Sequence, residues 1–232
     1  MAAIVESQPQ VQDSPAVSAF ITKTFGWMTL GLLLTAGVAA LFAGTGRSEA
    51  LVRNPGLLLV IIVVELAVVF GLSFGIRKIS APLAVAAFAL YAALNGVVLS
   101  LIFLAYTATS IAGTFLTASV MFAAMAVYGY VTKRDLTKLG PLLLMALIGI
   151  IVALLVNAFL IKSAGLSLVI SILGVLVFVG LTAYDAQKIK QMALSGPQGD
   201  VATKGAIIGA LMLYLDLINL FLFLLRIFGQ RR

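Results

Sequence analysis

The sequence contains no cysteine and no histidine among its 232 residues. The first absence removes disulfides, thiolate nucleophiles and thiolate zinc sites. The second removes haem ligation through imidazole and the usual switch near physiological pH. Any response to pH must come from carboxylates in perturbed surroundings, or from lysine. Charge is scarce as well. Only 10% of residues are charged, against about 25% in a soluble domain. A formal net charge of +7 remains, but no dense basic run carries it. It fits the ordinary Lys/Arg excess of cytoplasmic loops, not a nucleic-acid surface. No resident cofactor is expected.

What is present is apolar. Hydrophobic residues make up 62% of the chain and the mean hydropathy is +1.19. Soluble domains hold about 45–50%, so lipid is the natural solvent here. Residues 1–17 are polar, with Pro9 and Pro15, and read as a disordered tail. They carry neither the basic start nor the cleavage pattern of a signal peptide. Residues 18–232 form a single transmembrane domain. Seven apolar runs follow one another: Thr24–Ala43, Gly56–Ile76, Ala81–Ala105, Ile111–Val131, Pro141–Leu160, Leu166–Tyr184 and Gly205–Phe228. The sixth helix can continue, polar, to Met192. Only helices or closed barrels satisfy backbone groups in lipid. These runs are too long and too uniformly apolar for barrel strands, so the fold class is all-α. No inverted repeat is visible.

Loop charges give the orientation. With the N-terminus inside, the inner loops hold Arg77, Lys78, Lys133, Arg134, Lys138, Lys188, Lys190 and Lys204; the outer loops hold Arg47, Arg53 and Lys162. That bias predicts a cytoplasmic N-terminus. Arg226, Arg231 and Arg232 oppose it, so the seventh run either crosses against the rule or is re-entrant. Its length favours crossing.

Charges inside spans are costly and mark function. Glu65 falls in the middle of the second run, Asp216 near the middle of the seventh, and Asp185 at the inner end of the sixth. At 1.5 Å per residue, Asp185 lies roughly 10 Å above Met192 and Asp216 roughly 16 Å above Gly205. On consecutive antiparallel helices the two aspartates reach similar depths, with a turn through Gly196, Pro197 and Gly199 between them. Two touching carboxylates share a proton. Ionised, they are hard oxygen ligands for Ca²⁺, which needs six to eight oxygens. Asn219 stands three residues beyond Asp216 and can add another oxygen. Each residue also has a plainer reading. Asp185 can be an interfacial helix end, Glu65 a satisfied structural carboxyl, Asn95, Asn157 and Asn219 interhelical glue, and Arg77 a positive-inside anchor in place of a latch on Asp185. Gly71 with Gly75, and Gly205 with Gly209, have the spacing of close helix contacts. Gly209 shares a face with Asp216, which suits a seventh helix surrounded by protein.

The segments GLTAYDAQKI (Gly180–Ile189) and ALMLYLDLINLFLFLLRIFG (Ala210–Gly229) resemble the Bax inhibitor-1, or transmembrane Bax inhibitor motif, family. Tyr184, Asp185 and Gln187 match its Tyr-Asp-x-Gln element. Leu213–Phe221 and Leu224–Ile227 match the final-helix elements. The resemblance implies seven helices, six around a central C-terminal one, and a pH-sensitive Ca²⁺ leak with Asp185 and Asp216 as sensor. It further implies Glu65 on the ion pathway and a latch arginine at Arg77. Nothing longer than Gln230–Arg232 follows Gly229, unlike in some animal members. The compact chain looks like a bacterial member, which implies the inner (plasma) membrane. Two other classes stay open. An intramembrane aspartyl protease would use Tyr184-Asp185 with a second aspartate, but the Gly-x-Gly-Asp it needs is absent before Asp216, so no enzyme is expected. A non-conducting modulator of other membrane proteins is the third class.

Overall fold

The computed structural model describes residues 15–232. Helices α1 (Pro15–Gly44), α2 (Arg47–Arg53), α3 (Pro55–Gly75), α4 (Ala81–Leu99), α5 (Ile102–Ala105), α6 (Ala108–Val131), α7 (Leu139–Val156), α8 (Ala164–Leu194) and α9 (Gly199–Phe228) follow in order. A wider π turn, Asn157–Ile161, extends α7. Among the described residues there is no strand beyond one isolated bridge. Seven segments are long and apolar enough to cross a membrane, with α4 and α5 together forming one of them. All seven expected runs are thus helical. The tail expected over 1–17 is helical from Pro15 onward, and residues 1–14 lie outside the described residues.

Local chemistry sets the ends. Asn54 caps α3, its side-chain oxygen accepting from the Leu57 N–H at 3.2 Å, and Pro55 fills the first turn. Thr107 caps α6 and Ser163 caps α8 in the same way. Asn157 exchanges two hydrogen bonds with the Ser163 backbone, at 3.1 and 3.0 Å, and closes the turn into α8. That is structural work, and it accounts for one of the three span asparagines. Lys162 completes the turn in the left-handed region at φ 54°.

Helix α9 is the core. Its most apolar window is 72% buried, whereas the other six spans reach only 11–33%. It packs against α1, α4, α6 and α8. The two remaining spans are outer buttresses, α3 leaning on α4 and α7 on α8. Between Pro55 and Gly75 the buried residues are Glu65 and Leu72 alone. The expected ring of six is therefore four inner helices and two outer ones.

The seventh segment runs the full length of the bundle, from one end to the other. At its start Lys204 donates to the Ile79 carbonyl in the turn after α3, and Lys23 donates to Thr203. At its end Gln230 accepts from the Thr107 N–H, and the Arg232 N–H donates to the Ala105 carbonyl. The chain end is thus tied to the loop between α5 and α6, at the opposite face. The three C-terminal arginines lie at the end that is otherwise poorer in basic residues, and backbone pairing holds them there.

Close contacts use small residues, as membrane helices require. A Cβ on Gly209 would meet Thr24 at 2.9 Å and Ile189 at 3.1 Å, so α9 is wedged between α1 and α8 there. Gly205 lies against Phe20 and Met192. The matching expectation for Gly71 and Gly75 does not hold, because nothing lies within 4 Å of either. They belong to the outer helix α3, where no neighbour approaches closely.

Candidate functional site

Asp216 is only 3% exposed, and its Oδ2 is buried without a hydrogen-bond partner. It lies within Coulombic reach of Asp185 on α8. The two aspartates, expected at similar depths on consecutive helices, are thus brought together across the α8–α9 interface. Lys188, one turn beyond Asp185, is within Coulombic reach of that acid and sits over the Tyr184 ring at 5.9 Å. In the sequence Lys188 stands out as an inner-loop charge and not as a partner of Asp185, although the i+3 spacing is visible there.

The surroundings of the pair are fixed by the α6–α7 loop. Gln187 is buried and forms two hydrogen bonds to that loop. Its amide N–H donates to the Arg134 carbonyl at 2.8 Å, and its oxygen accepts from the Leu136 N–H at 2.8 Å. A Cβ on Gly140 would press on Tyr184 at 2.7 Å, so the glycine makes room for that ring. The Tyr-Asp-x-Gln element therefore has a division of labour. Tyr184 packs on α7, Asp185 faces α9, and Gln187 pins the loop. Within the loop, Asp135 accepts from the Thr137 N–H at 2.9 Å, and its bonds to Thr137 hold its carboxyl below the usual range.

Glu65 is not part of this pair. It is 9% exposed and accepts a hydrogen bond from the Asn95 amide at 2.5 Å. The Tyr214 hydroxyl donates to Asn95 Oδ1 at 3.1 Å, and Tyr214 Oη is 2.6 Å from Thr35 Oγ1. Thr35 in turn donates to the Ala92 carbonyl at 2.8 Å. Tyr214 is fully buried, with Phe88 and Tyr91 edge-on to its ring. Two residues along a helix turn the side chain by about 200°. Tyr214 and Asp216 therefore face opposite sides of α9, the tyrosine toward α1 and α4, the aspartate toward α8. The chain through Glu65, Asn95, Tyr214 and Thr35 is a second polar centre, of which only Glu65 and Asn95 stood out in the sequence.

Two other candidates stand apart. Asn219 donates its amide to the Leu215 carbonyl of its own helix at 2.8 Å. Arg77 is exposed in the turn after α3, with no salt bridge to Asp185. Its helix leans on α4 and not on α8, which explains the separation. Among the described residues no three His, Cys, Asp or Glu side chains converge on one point. The pair thus supplies at most four carboxylate oxygens, fewer than Ca²⁺ takes.

The chain has relatives among known proteins over nearly its whole length. The family model described as "Inhibitor of apoptosis-promoting Bax1" matches residues 17–232. The inner membrane protein YbhL of Escherichia coli K12 is 50% identical over 225 residues, covering 96% of each chain. An uncharacterized protein of Borreliella burgdorferi is 42% identical over 99% of each chain. Another, from Deinococcus radiodurans, is 44% identical over 93% of this chain and 92% of its own.

Proposed function

This chain belongs to the Bax inhibitor-1 family, and from that premise we propose that it is a calcium leak of the bacterial inner membrane, gated by protonation of Asp185 and Asp216. It is an integral membrane protein with seven spanning helices. The observation that carries the reading is Asp216 itself. A carboxylate this deeply buried, with one oxygen left without a partner and a second carboxylate in Coulombic reach, is costly in lipid unless it has a use.

The chemistry follows from the pair. With one shared proton the two acids attract each other across the α8–α9 interface. With none, two negative charges repel and the interface is loosened, while the exposed oxygens become ligands for a divalent cation. Proton and Ca²⁺ thus compete for the same oxygens. Lys188, one turn beyond Asp185, places a positive charge beside the pair. Asn219, on the same side of α9 as Asp216, can offer its carbonyl oxygen to the ion while its amide stays on Leu215. Arg77 would serve as a latch only after the turn following α3 moves toward α8.

Orientation follows the charge rule. The end that carries Arg77, Lys78, Lys133, Arg134, Lys138 and Lys204 is the cytoplasmic one. The acid pair then lies toward the cytoplasm, and the N-terminus is inside.

The test is Ca²⁺ flux into liposomes holding the purified protein, measured across pH. Flux should vary with pH and collapse in Asp216→Asn and in Asp185→Asn. Full flux in Asp216→Asn would sink the pair as gate. No flux from wild type at any pH would favour a non-conducting modulator.

A further inference from the structure

We infer that Glu65 is a proton-binding site separate from the aspartate pair, and that its proton sets the direction of the hydrogen-bond chain running through Asn95, Tyr214 and Thr35 to the Ala92 carbonyl. The inference comes from counting protons and does not depend on whether the protein conducts calcium.

The chain has four contacts at hydrogen-bond distance: Glu65–Asn95, Asn95–Tyr214, Tyr214–Thr35 and Thr35–Ala92. Each needs one proton lying between its two heavy atoms. Suppose Glu65 is ionised. It must accept, so the Asn95 N–H points at it and Asn95 Oδ1 points at Tyr214. The single tyrosine proton then goes to Asn95. Thr35 has one proton for two partners, Tyr214 and the Ala92 carbonyl. One of the four contacts is left empty. If the empty one is Thr35–Tyr214, two oxygens stand 2.6 Å apart with no proton between them.

Now give Glu65 a proton and rotate the Asn95 amide by half a turn, which exchanges its oxygen and nitrogen at almost no change of shape. Glu65 donates to Asn95 Oδ1, Asn95 donates to Tyr214, Tyr214 donates to Thr35, and Thr35 donates to the Ala92 carbonyl. All four contacts are filled, and every group gives one proton forward. Only the protonated site fills all four contacts, with the Asn95 amide turned from the orientation in which it donates to Glu65. Losing the proton reverses the chain and leaves one contact of Thr35, to Tyr214 of α9 or to Ala92 of α4, without a proton.

The surroundings leave Glu65 as the group that titrates. Between Pro55 and Gly75 it is the one ionisable residue of α3. The titratable groups facing it are Tyr91 from α4 and Tyr214 from α9, each within Coulombic reach. Both hydroxyls are ordinarily neutral at the pH of cells. The aspartate pair lies on the far side of α9.

Infrared difference spectroscopy reads the site directly. The comparison is made in the Asp185→Asn/Asp216→Asn protein, whose acid pair is silent. At neutral pH a protonated-carboxyl C=O band is expected. Adding Glu65→Gln should remove it, and adding Thr35→Val, three contacts away along the chain, should shift it. Absence of the band, or a band blind to both changes, would overturn the proposal. If the double Asn variant does not fold, the wild-type minus Glu65→Gln spectrum supplies the same band. Thermal melting gives an independent reading. Gln can donate to Asn95 Oδ1 and so mimics the protonated acid. Glu65→Gln should hold its melting temperature as pH rises, while the parent falls by about 3 °C, the effect of one hydrogen bond. Equal pH profiles would count against it. Loss of calcium flux in the aspartate variants leaves all of these outcomes unchanged, so the two proposals fail separately.

Discussion

A Cβ placed on Gly129 would run into the carbonyl oxygen of Ala183, so α6 and α8 meet backbone to backbone. Ala183 is followed directly by Tyr184 and Asp185. This crossing therefore fixes how far the acid of α8 reaches toward α9. Packing and small residues, not hydrophobic burial, drive such contacts in lipid.

Gly129→Ala is expected to destabilise the protein by about 3 kcal/mol, the upper end for overpacking, because backbone cannot move aside as a side chain can. Gly71→Ala is the control. Nothing lies within 4 Å of Gly71, so that change should be neutral. Thermal unfolding of both variants in detergent separates the two. Equal stability would mean that the α6–α8 crossing is not close.

Gln187 ties the α6–α7 loop to α8 through two hydrogen bonds on one side chain. Gln187→Ala frees the Leu136 N–H and the Arg134 carbonyl together. A loss of about 2 kcal/mol is expected, less where water reaches the loop. Hydrogen exchange should rise at Leu136 and its neighbours and stay unchanged in the Asn157–Ser163 turn. Unchanged exchange at Leu136 would show that the loop is held by other means.

The spans were legible because lipid imposes a strict pattern: long apolar runs, capped by Asn54, Thr107 and Ser163. The aspartate pair was legible because a charge in such a run stands out. Tyr214 was not singled out, since tyrosine is an ordinary span residue. The helical phase alone shows that it faces away from Asp216, two residues on. Thr35 carried no signal at all. Threonines in spans commonly bond to their own helix, as Thr24 does to Phe20 and Thr182 to Phe178. The outer placement of α3 and α7 was equally hidden. The runs are apolar on nearly every side, so hydropathy alone does not tell a lipid-facing surface from a protein-facing one.

Asp135 offers a pH reading outside the membrane. Its folded carboxyl titrates below the usual range through its bonds to Thr137. A group lowered in this way contributes stability above its unfolded titration point, and that contribution is lost as pH falls through the folded one. The group is fully exposed, so the effect on stability is small. Thr137→Val should return Asp135 toward the ordinary aspartate value, seen as an upward move of its carboxyl titration by NMR. An unmoved titration would mean that the hydroxyl of Thr137 has no part in it.

The absence of cysteine makes topology directly testable, because any introduced thiol is the single one in the chain. Lys78 is exposed in the turn after α3, at the end where α9 begins, and Arg232 is exposed at the end where α9 finishes. Lys78→Cys and Arg232→Cys should therefore be reached by a membrane-impermeant maleimide from opposite sides of the membrane. With the basic end cytoplasmic, Arg232→Cys reacts in intact cells, while Lys78→Cys reacts only after permeabilisation. Labelling of both from one side would make α9 re-entrant and dissolve the pairing of Arg232 with Ala105. Opposite-side labelling with Lys78→Cys reactive from outside would keep the fold and invert its orientation. The acid pair would then face the external pH, and a different compartment would set the state of Asp185 and Asp216.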